Sequence, residues 1–521
     1  MSLFPSQLAR VLALCSAWSF AFSLNVAQSQ TPKSDQESKV PIFKAGFAER
    51  DISPAIGQEQ PGGYGKVFHS AFHDACKARA AVFDDGKKVV ALVGLDALGI
   101  DRRSTLRVRK RIFKATQIPE NAVLIGASHS HSSGPVGMVM PGDYDHANDF
   151  VKDLAYKQSS SADLKYLEKM ETGIVEAVVE AHQKRTAAQV GISKGIEDKV
   201  AFNRRFLMKN GMTMTHPGQN NPDIIAPAGP VDPEVGVIGA WSPDGKFLGC
   251  VVNFACHATT NPGNGISANY VFYLEKVIQG YYGKDKPVVF LNGNSGDVTQ
   301  VDNRSPIVHR KPEPWAEFVG GRIGAEALKQ LLTMDKGAMV PVDFRDTVVA
   351  MKKRPPSKAR LEKSISILKS DNGKSDPTSW AFAKETVMLD SLIEKFPTSD
   401  VEVQNIQVGP AIFITNPAEF FCAFGLELKE KSGFPFTFPV SLANGCVGYV
   451  PTKDSFGPRG GGYETRLTSY SNLELGSGEE IVRIGLELAS GLKPGKAPAF
   501  APAPPFKGLP WSYGSVPPEK D

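Results

Sequence analysis

The chain has 521 residues, of which 41% are hydrophobic and 22% are charged, a composition typical of a globular enzyme with a large core. The net charge is only +4 and no basic tract is interleaved with aromatic residues, which excludes nucleic acid as a partner. The 6 cysteines are too sparse for a disulfide framework. We expect most of them to be buried free thiols, with one disulfide pair as the alternative.

The first 27 residues predict a signal peptide. Arg10 precedes an apolar run at 11–24, and Asn25, Val26 and Ala27 fit a cleavage site. The run is too short to predict a membrane span, so we expect an exported, soluble protein, periplasmic or secreted. Residues 28–40 are polar and predict a flexible lead-in to a folded domain at 41–493.

Strands and helices then alternate along the chain. Residues 43–54 predict an edge strand and a turn, and further strands are predicted at 77–83, 88–95, 122–127, 189–193, 238–241, 246–254, 287–291, 404–408, 411–415 and 436–443. Turn residues predict two hairpins, one at Asp84, Asp85 and Gly86 and one across Gly409 and Pro410. Helical spacing of apolar residues predicts helices at 102–116, 160–184, 270–280, 315–332 and 480–488. Residues 357–395 predict a polar helical region, with a helical hairpin as one arrangement of it. This order predicts an α/β fold with a mixed β-sheet core flanked by helices.

Other segments are predicted to be irregular. Residues 61–65 form a loop rich enough in glycine to lie against a ligand. Residues 201–205 and 217–233 are predicted as loops, and Pro439 indicates a sheet edge or a bulge. The tail at 494–521 is rich in proline and predicted to be extended and mostly unpacked.

Polar residues suited to chemistry follow several of the strands. His129 and His131 follow the apolar run at 122–127, and if the chain is still extended there, both imidazoles face one pocket. Other strands are followed by Asp96, His257, residues 295–299, Glu419 and Tyr449. Because active sites of α/β proteins gather at the carboxyl ends of strands, we expect one shared pocket there.

Two common classes of site are disfavoured. No Walker loop and no Gly-x-Gly-x-x-Gly motif follows a strand, so nucleotide binding is unsupported. Ser295 lies in Asn-Ser-Gly rather than in a Gly-x-Ser-x-Gly nucleophile elbow, which disfavours a standard serine hydrolase.

Segments of the chain, in order from about residue 42 to 490, together resemble the catalytic domain of the neutral/alkaline (non-lysosomal) ceramidase family. The His-Ser-His segment is similar to that family's Thr-His-Thr-His-Ser-Gly-Pro motif, with one extra serine. The resembling segments are 43–54, 127–135, 202–204, 253–257, 294–299, 416–420 and 448–452 with 462–464.

The resemblance implies a Zn²⁺ ion held by His129, His257, Glu419 and Tyr449. Two neutral imidazoles, a carboxylate and a phenolate-like oxygen suit zinc and leave room for water. Zinc lowers the pKa of bound water to about 7, so the resemblance implies hydrolysis by metal-activated water.

The resemblance also implies roles around the metal. His131 would act as general acid and base and protonate the departing amine. Arg204 and Tyr463 would hydrogen-bond the substrate or the developing oxyanion. Asp96 is a candidate for orienting a histidine, with a strand-end cap as the alternative. We expect structural roles for His73, His146 and Cys256, and a solvated His182.

The chain departs from the family pattern in places. Thr299 stands where the family has an active-site serine, so we expect it to be a catalytic residue whose hydroxyl hydrogen-bonds the substrate or water. Its added methyl group stiffens the side chain and crowds the pocket. Gln300 replaces the following proline. The family's well-studied members continue into an immunoglobulin-like domain where this chain has its proline-rich tail, so we expect membrane approach or pocket depth to differ.

The sequence therefore predicts an exported, zinc-dependent amidohydrolase that cleaves the N-acyl amide of ceramide into a fatty acid and a sphingoid base. Its partners would be a lipid substrate and, peripherally, a membrane. Two alternatives are left open: a hydrolase of another N-acyl amide or ester on the same fold, and a non-catalytic zinc-containing binding protein. The acyl chain length and the oligomeric state are not determined by the sequence.

Overall fold

The computed structural model describes residues 42–260, 263–308, 311–370, 375–514 and 516–521. The predicted signal peptide and lead-in lie outside the described residues. Within the described part, the cysteines are free thiols and most are buried, as predicted. No helix among the described residues has the length and apolar character needed to cross a bilayer.

The N-terminal sheet contains the strands Val123–Ala127, Val89–Leu95, Lys77–Asp84, Lys44–Asp51 and Thr186–Ala187, in that spatial order. The predicted hairpin at Asp84 and Asp85 is present, because each carboxylate accepts hydrogen bonds from the backbone of the following turn. Val89–Leu95 and Val123–Ala127 run parallel and are joined by the helix Arg102–Thr116. Asp101 caps that helix by accepting from the backbone N–H of Arg103.

The central sheet contains Val288–Asn292, Phe247–Phe254, Glu234–Trp241 and Gln189–Ile196, in that order. Its parallel pair, Phe247–Phe254 with Val288–Asn292, is joined by the helix Tyr270–Tyr282. The sheet packs face to face on the N-terminal sheet. A Cβ at Gly94 would lie 2.4 Å from the carbonyl oxygen of Phe290, so this close approach requires glycine.

The C-terminal sheet contains Val342–Lys352, Thr398–Val408, Ala411–Thr415 and Phe436–Val440, in that order. The middle strands form the predicted hairpin across Gly409 and Pro410. Phe436–Val440 lies at the sheet edge, which fits Pro439 because proline has no N–H to donate. It runs parallel to Ala411–Thr415, and the helix Cys422–Lys431 joins the two.

Helices cover the sheets on their outer faces. Leu164–Gln183 packs on the N-terminal sheet, Pro312–Thr333 on the central sheet and Ser477–Ser490 on the C-terminal sheet. Lys358–Ser370 and Pro377–Lys395 pack on each other as the predicted helical pair. The predicted α/β class, with a mixed sheet core flanked by helices, is confirmed.

Other segments differ from the prediction. Residues 201–205 hold parts of the short strands Phe202–Asn203 and Arg205–Met208, and residues 217–233 hold Ile224–Pro227. These strands are too short to leave an apolar pattern. Phe202–Asn203 forms by pairing with the distant strand Val298–Thr299, and Arg205–Met208 pairs with Ile224–Pro227. The strand Val342–Lys352 was not predicted, because charged residues interrupt its apolar alternation.

Candidate active site

Three buried side chains from different parts of the fold converge at the carboxyl ends of the parallel strands. His129 follows Val123–Ala127, His257 follows Phe247–Phe254 and Glu419 follows Ala411–Thr415. His129 Nε2 and His257 Nε2 each lie 3.1 Å from the same oxygen, Oε2 of Glu419. The three ligand atoms lie within 4.8 Å of one another. All three sheets therefore contribute to one shared site.

Backbone carbonyls fix the orientation of both histidine rings. His129 Nδ1 donates to the carbonyl of Leu98 at 2.7 Å, and His257 Nδ1 donates to those of Ser295 at 2.7 Å and Val298 at 3.1 Å. A carbonyl oxygen only accepts, so the proton sits on Nδ1 and the Nε2 lone pair faces Glu419. Electron-pair donors held this close repel one another unless a cation lies among them, so the residues fit a metal ion.

The ionisation of these groups also suits a metal. Burial alone would raise the pKa of Glu419, but the facing imidazoles of His129 and His257 hold that pKa well below its usual range. Burial, reinforced by the charge of Arg204, lowers the pKa of His257 to about 4. At neutral pH the site therefore offers a carboxylate and a neutral imidazole, which are the forms that bind metals.

Tyr449 lies beside Glu419 because the short strands Glu419–Phe420 and Tyr449–Val450 pair in parallel with these two residues as partners. Its hydroxyl oxygen accepts a hydrogen bond from Arg204 Nη2 at 3.0 Å. Burial raises the pKa of Tyr449 well above its ordinary value, Glu419 raises it further and Arg204 opposes the shift. The phenol is neutral in this setting and close to the carboxylate that it was predicted to join.

Arg204 is buried and spans the site. Its Nε donates to Glu464 Oε1 at 2.7 Å and its Nη2 also donates to the carbonyl of Gly296 at 2.8 Å. Its Nη1 donates to His257 Nε2 at 3.3 Å. The guanidinium is thus held by Glu464, Gly296 and Tyr449, and its Nη1 faces His257 of the candidate metal site.

His131 lies next to His129, but not for the reason that the sequence suggested. The two Nε2 atoms are 3.2 Å apart, so both imidazoles face one pocket as predicted. The chain is not extended there, because His129 has a left-handed backbone with φ of 65°. Loss of solvation, together with His129 and His257, lowers the pKa of His131 well below its ordinary value.

The glycine-rich loop lies against His131. A Cβ at Gly62 would lie 2.3 Å from His131 Nδ1, and Gln60 Nε2 donates to the backbone carbonyl of His131 at 2.9 Å. A cavity of about 280 Å³ opens here, lined by this loop, Val67, His131 and Thr259 among others. The prediction that the loop lies at a ligand site is consistent with this placement.

Tyr463 completes the opposite wall. Its ring centroid lies 5.3 Å from that of Tyr449, and its hydroxyl donates to the hydroxyl of Tyr64 at 3.1 Å. Burial raises the pKa of Tyr463 to about 12, so its hydroxyl remains a donor at neutral pH. Of the predicted catalytic residues, His131, Arg204 and Tyr463 are thus brought together around the three ligands.

Thr299 is buried, and its hydroxyl is already engaged. It follows Val298, whose carbonyl holds the His257 ring, and its Oγ1 donates to Gln300 Oε1 at 3.1 Å. Gln300 Nε2 in turn donates to Thr259 Oγ1 at 3.0 Å, and Thr259 lines the cavity. The two departures from the family pattern, Thr299 and Gln300, therefore contact each other.

The prediction that Asp96 orients a histidine is wrong. Asp96 Oδ2 accepts from Arg79 Nη1 at 2.6 Å and from the backbone N–H of Lys77 at 2.8 Å, and carbonyls orient both ligand histidines instead. The strand-end alternative holds for Asp96. His146 is exposed and binds the carbonyl of Ser391, and the buried Cys256 directs its Sγ at the carbonyl of Val200.

Sequence reasoning did not assign roles to Glu464 and Lys384. Glu464 is buried and accepts from both Arg204 and Thr215. Lys384, also buried, donates to the backbone carbonyl of Tyr64 at 2.8 Å and to Glu385 at 2.9 Å. The position of Glu464 next to Tyr463 could have marked it as a site residue. Lys384 lies in a helix, and nothing in the surrounding sequence indicates that it contacts the site region.

The fold is that of the neutral ceramidases. A crystal structure of neutral ceramidase from Pseudomonas aeruginosa superposes with a TM-score of 0.64 and 18% identity, covering 89% of this chain and 76% of that chain. A ceramidase complexed with C2 superposes with a TM-score of 0.64 and 16% identity, covering 89% of this chain and 77% of the other. No family model matches the chain, and no curated protein matches its sequence. The resemblance drawn from the motifs is thus confirmed at the level of the fold.

Proposed function

We propose that this protein is a zinc-dependent amidohydrolase that cleaves the N-acyl amide of ceramide, releasing a fatty acid and a sphingoid base. The observation that carries the proposal is the convergence of His129, His257 and Glu419, with His131 and Arg204 beside them, in a fold shared with the neutral ceramidases. Tyr449 is the proposed fourth ligand. Export through the predicted signal peptide, to the periplasm or beyond, is part of the proposal.

The surrounding residues have distinct proposed roles. A bound zinc ion would lower the pKa of a water molecule to about 7 and so supply a nucleophile at neutral pH. His131 accepts a proton at Nε2 and delivers it to the departing amine nitrogen. Arg204 Nη1 and the Tyr463 hydroxyl donate to the carbonyl oxygen as negative charge develops on it. Thr299 follows Val298, whose carbonyl accepts from His257, and its own hydroxyl donates to Gln300.

The first test is hydrolysis of a fluorogenic ceramide by the purified protein, with bound zinc counted on the same sample. The variant His129→Ala should lose bound zinc, and its rate of hydrolysis should fall by more than about 100-fold. A fall of about 100-fold is the largest expected for a residue that only orients a metal ligand, so a ligand itself should exceed it. His146→Ala is the matched control, since His146 is exposed and away from the site. It should keep both zinc and activity.

The remaining outcomes separate the alternatives. Bound zinc without cleavage of ceramide, even in Thr299→Ser, would refute the ceramide assignment. Other N-acyl amides and esters would then be tested with the same variants. Zinc binding without cleavage of any acyl substrate would support a binding protein, and a protein without zinc would refute the mechanism.

A further inference from the structure

Four large apolar side chains are exposed along one short segment. The exposed fractions are 60% for Ile56, 41% for Val67, 52% for Phe68 and 53% for Phe72. We call these four residues the mouth patch. Single exposed apolar residues are normal, but four within one segment mark an interaction surface.

The mouth patch is held rigidly on the fold. His69 is buried between Phe68 and Ser70, and its Nε2 bonds the carbonyl of Ser133 at 2.8 Å. The backbone N–H of Ser70 donates to the carbonyl of Asn264 at 2.7 Å, and Ala71–Phe72 pairs with the strand Gly265–Ile266. The apolar side chains are therefore displayed by paired backbone rather than by a loose loop.

The patch is continuous with the cavity that contains His131. Val67 belongs to both, because it is exposed and also lines that cavity. The same segment places Gly62 against the His131 ring and Gln60 against the His131 carbonyl. A molecule that reaches His131 through this cavity passes the patch.

The charge of the segment narrows the choice of partner. Within residues 55–72 the formal charges are those of Glu59 and Lys66, and these two side chains pair at 2.9 Å. The surface is thus apolar and neutral. It has no unpaired positive charge to bind a polyanion, and it suits a partner surface that binds by the hydrophobic effect.

We propose that the mouth patch docks on the surface of a neutral lipid bilayer. Phe68 and Phe72 insert at the boundary between headgroups and acyl chains, and this places the cavity mouth where a lipid leaves the membrane. The proposal deepens the proposed function and rests on it for the identity of the lipid that enters.

Sedimentation with phosphatidylcholine vesicles tests the docking without any hydrolysis. The double variant Phe68→Ser/Phe72→Ser should lower vesicle partitioning by about tenfold or more, because it removes two inserted rings. The control Phe113→Ser/Phe150→Ser alters phenylalanines with 42% and 41% exposure elsewhere on the surface, and it should partition like the wild type. Raising the salt to about 1 M should not release the protein, since screened charges contribute nothing here.

Activity gives an independent readout. The mouth-patch variant should cleave a soluble short-acyl substrate at the wild-type rate but lose activity on ceramide embedded in vesicles. The proposal is overturned if the wild type does not bind the vesicles or if both double variants lose binding equally. It is also overturned if the mouth-patch variant converts a dimer to a monomer, which would mean that a second copy covers the patch. Vesicle binding that depends on the patch, in a protein that cleaves no ceramide, would refute the proposed function and leave the docking surface standing.

Discussion

His129 shows how a single backbone conformation builds the site. A left-handed conformation is uncommon for a residue with a Cβ and is retained where surrounding contacts over-determine it. Here Nδ1 of the His129 ring bonds the Leu98 carbonyl, and Nε2 faces the carboxylate of Glu419. The turn at His129 brings the His131 ring next to the His129 ring. In an extended chain the two rings would have shared a face only because alternate side chains point the same way.

Gly62 should be required for activity. A Cβ at this position would enter the His131 ring, and the backbone φ of 102° already disfavours any other residue. We expect Gly62→Ala to lower kcat by about 100-fold, because a shift of about 1 Å in a reacting group has an effect of that order. Gly63→Ala is the matched control, since its Cβ would meet nothing closer than 3.8 Å. Equal rates for the two variants would show that the loop does not position His131.

At the scale of elements, the helix Pro377–Lys395 packs on Lys358–Ser370 on one side and contacts the residues around the site on the other. Lys384, in the middle of this helix, is buried and bonded to Tyr64, Glu385 and Ser159. Glu385 in turn accepts from Ser469, close to the Tyr463 segment. One helix therefore joins the glycine-rich loop to the opposite wall of the site.

Lys384→Met should destabilise the fold and slow catalysis together. It leaves Glu385 buried without its cation, and breaking a buried pair costs about 3–5 kcal/mol. Urea unfolding measures the loss in free energy of unfolding, and kcat measures the displacement of the loop. Lys395→Met on the exposed end of the same helix should change neither. An unaltered unfolding midpoint for Lys384→Met would contradict this account.

Glu402 ties the helix Arg102–Thr116 to the C-terminal sheet. It accepts from Arg109 Nη2 at 2.8 Å and from Arg102 Nη1 at 2.5 Å, and it is buried. Burial alone would raise the pKa of Glu402, but the two arginines lower it below the ordinary value of 4.5. The ionised carboxylate therefore stabilises the folded state.

The pH dependence of Glu402→Gln follows from the sign of that shift. A lowered folded-state pKa contributes stability that is complete above the ordinary value of 4.5 and is lost as the pH falls through the lowered pKa. The variant should be less stable by about 3–5 kcal/mol at pH 7, and the difference should shrink below pH 4.5. Denaturant titrations across this range measure it. Glu168→Gln, which removes an exposed partner of Arg111, should show no such trend.

At the scale of the whole molecule, each of the three large sheets supplies one residue of the candidate metal site. His129, His257 and Glu419 are far apart in sequence, so an ion that binds all three links the sheets only when the chain is folded. Binding to the folded state alone stabilises it in proportion to the logarithm of ion concentration.

Removal of the metal should therefore lower the unfolding temperature. Free zinc at about 1,000 times Kd contributes about 4 kcal/mol, and a chelator removes that contribution. Scanning calorimetry before and after chelation measures the shift, and restored zinc should reverse it. The chelator should have no effect on His129→Ala, and a shift of the same size there would show that the ion binds elsewhere.

The sequence by itself determined the elements and the residues that follow them. Apolar runs bounded by turn residues located the strands that end at His129 and His257, because burial and turn chemistry are local signals. The glycine-rich loop and the edge position of Pro439 were readable for the same reason. These signals sufficed to predict one shared pocket after the strands, whereas the set of metal ligands came from the resemblance to the ceramidase family.

Only the tertiary structure decided which partner each polar group has. Asp96 binds Arg79 rather than a histidine, and Arg204 binds Glu464 across 260 positions of sequence. Lys384 reaches Tyr64 across 320 positions. No local sequence pattern predicts such pairs. A buried charged group must bond a polar partner, and the packing of sheets and helices determines which partner lies within reach.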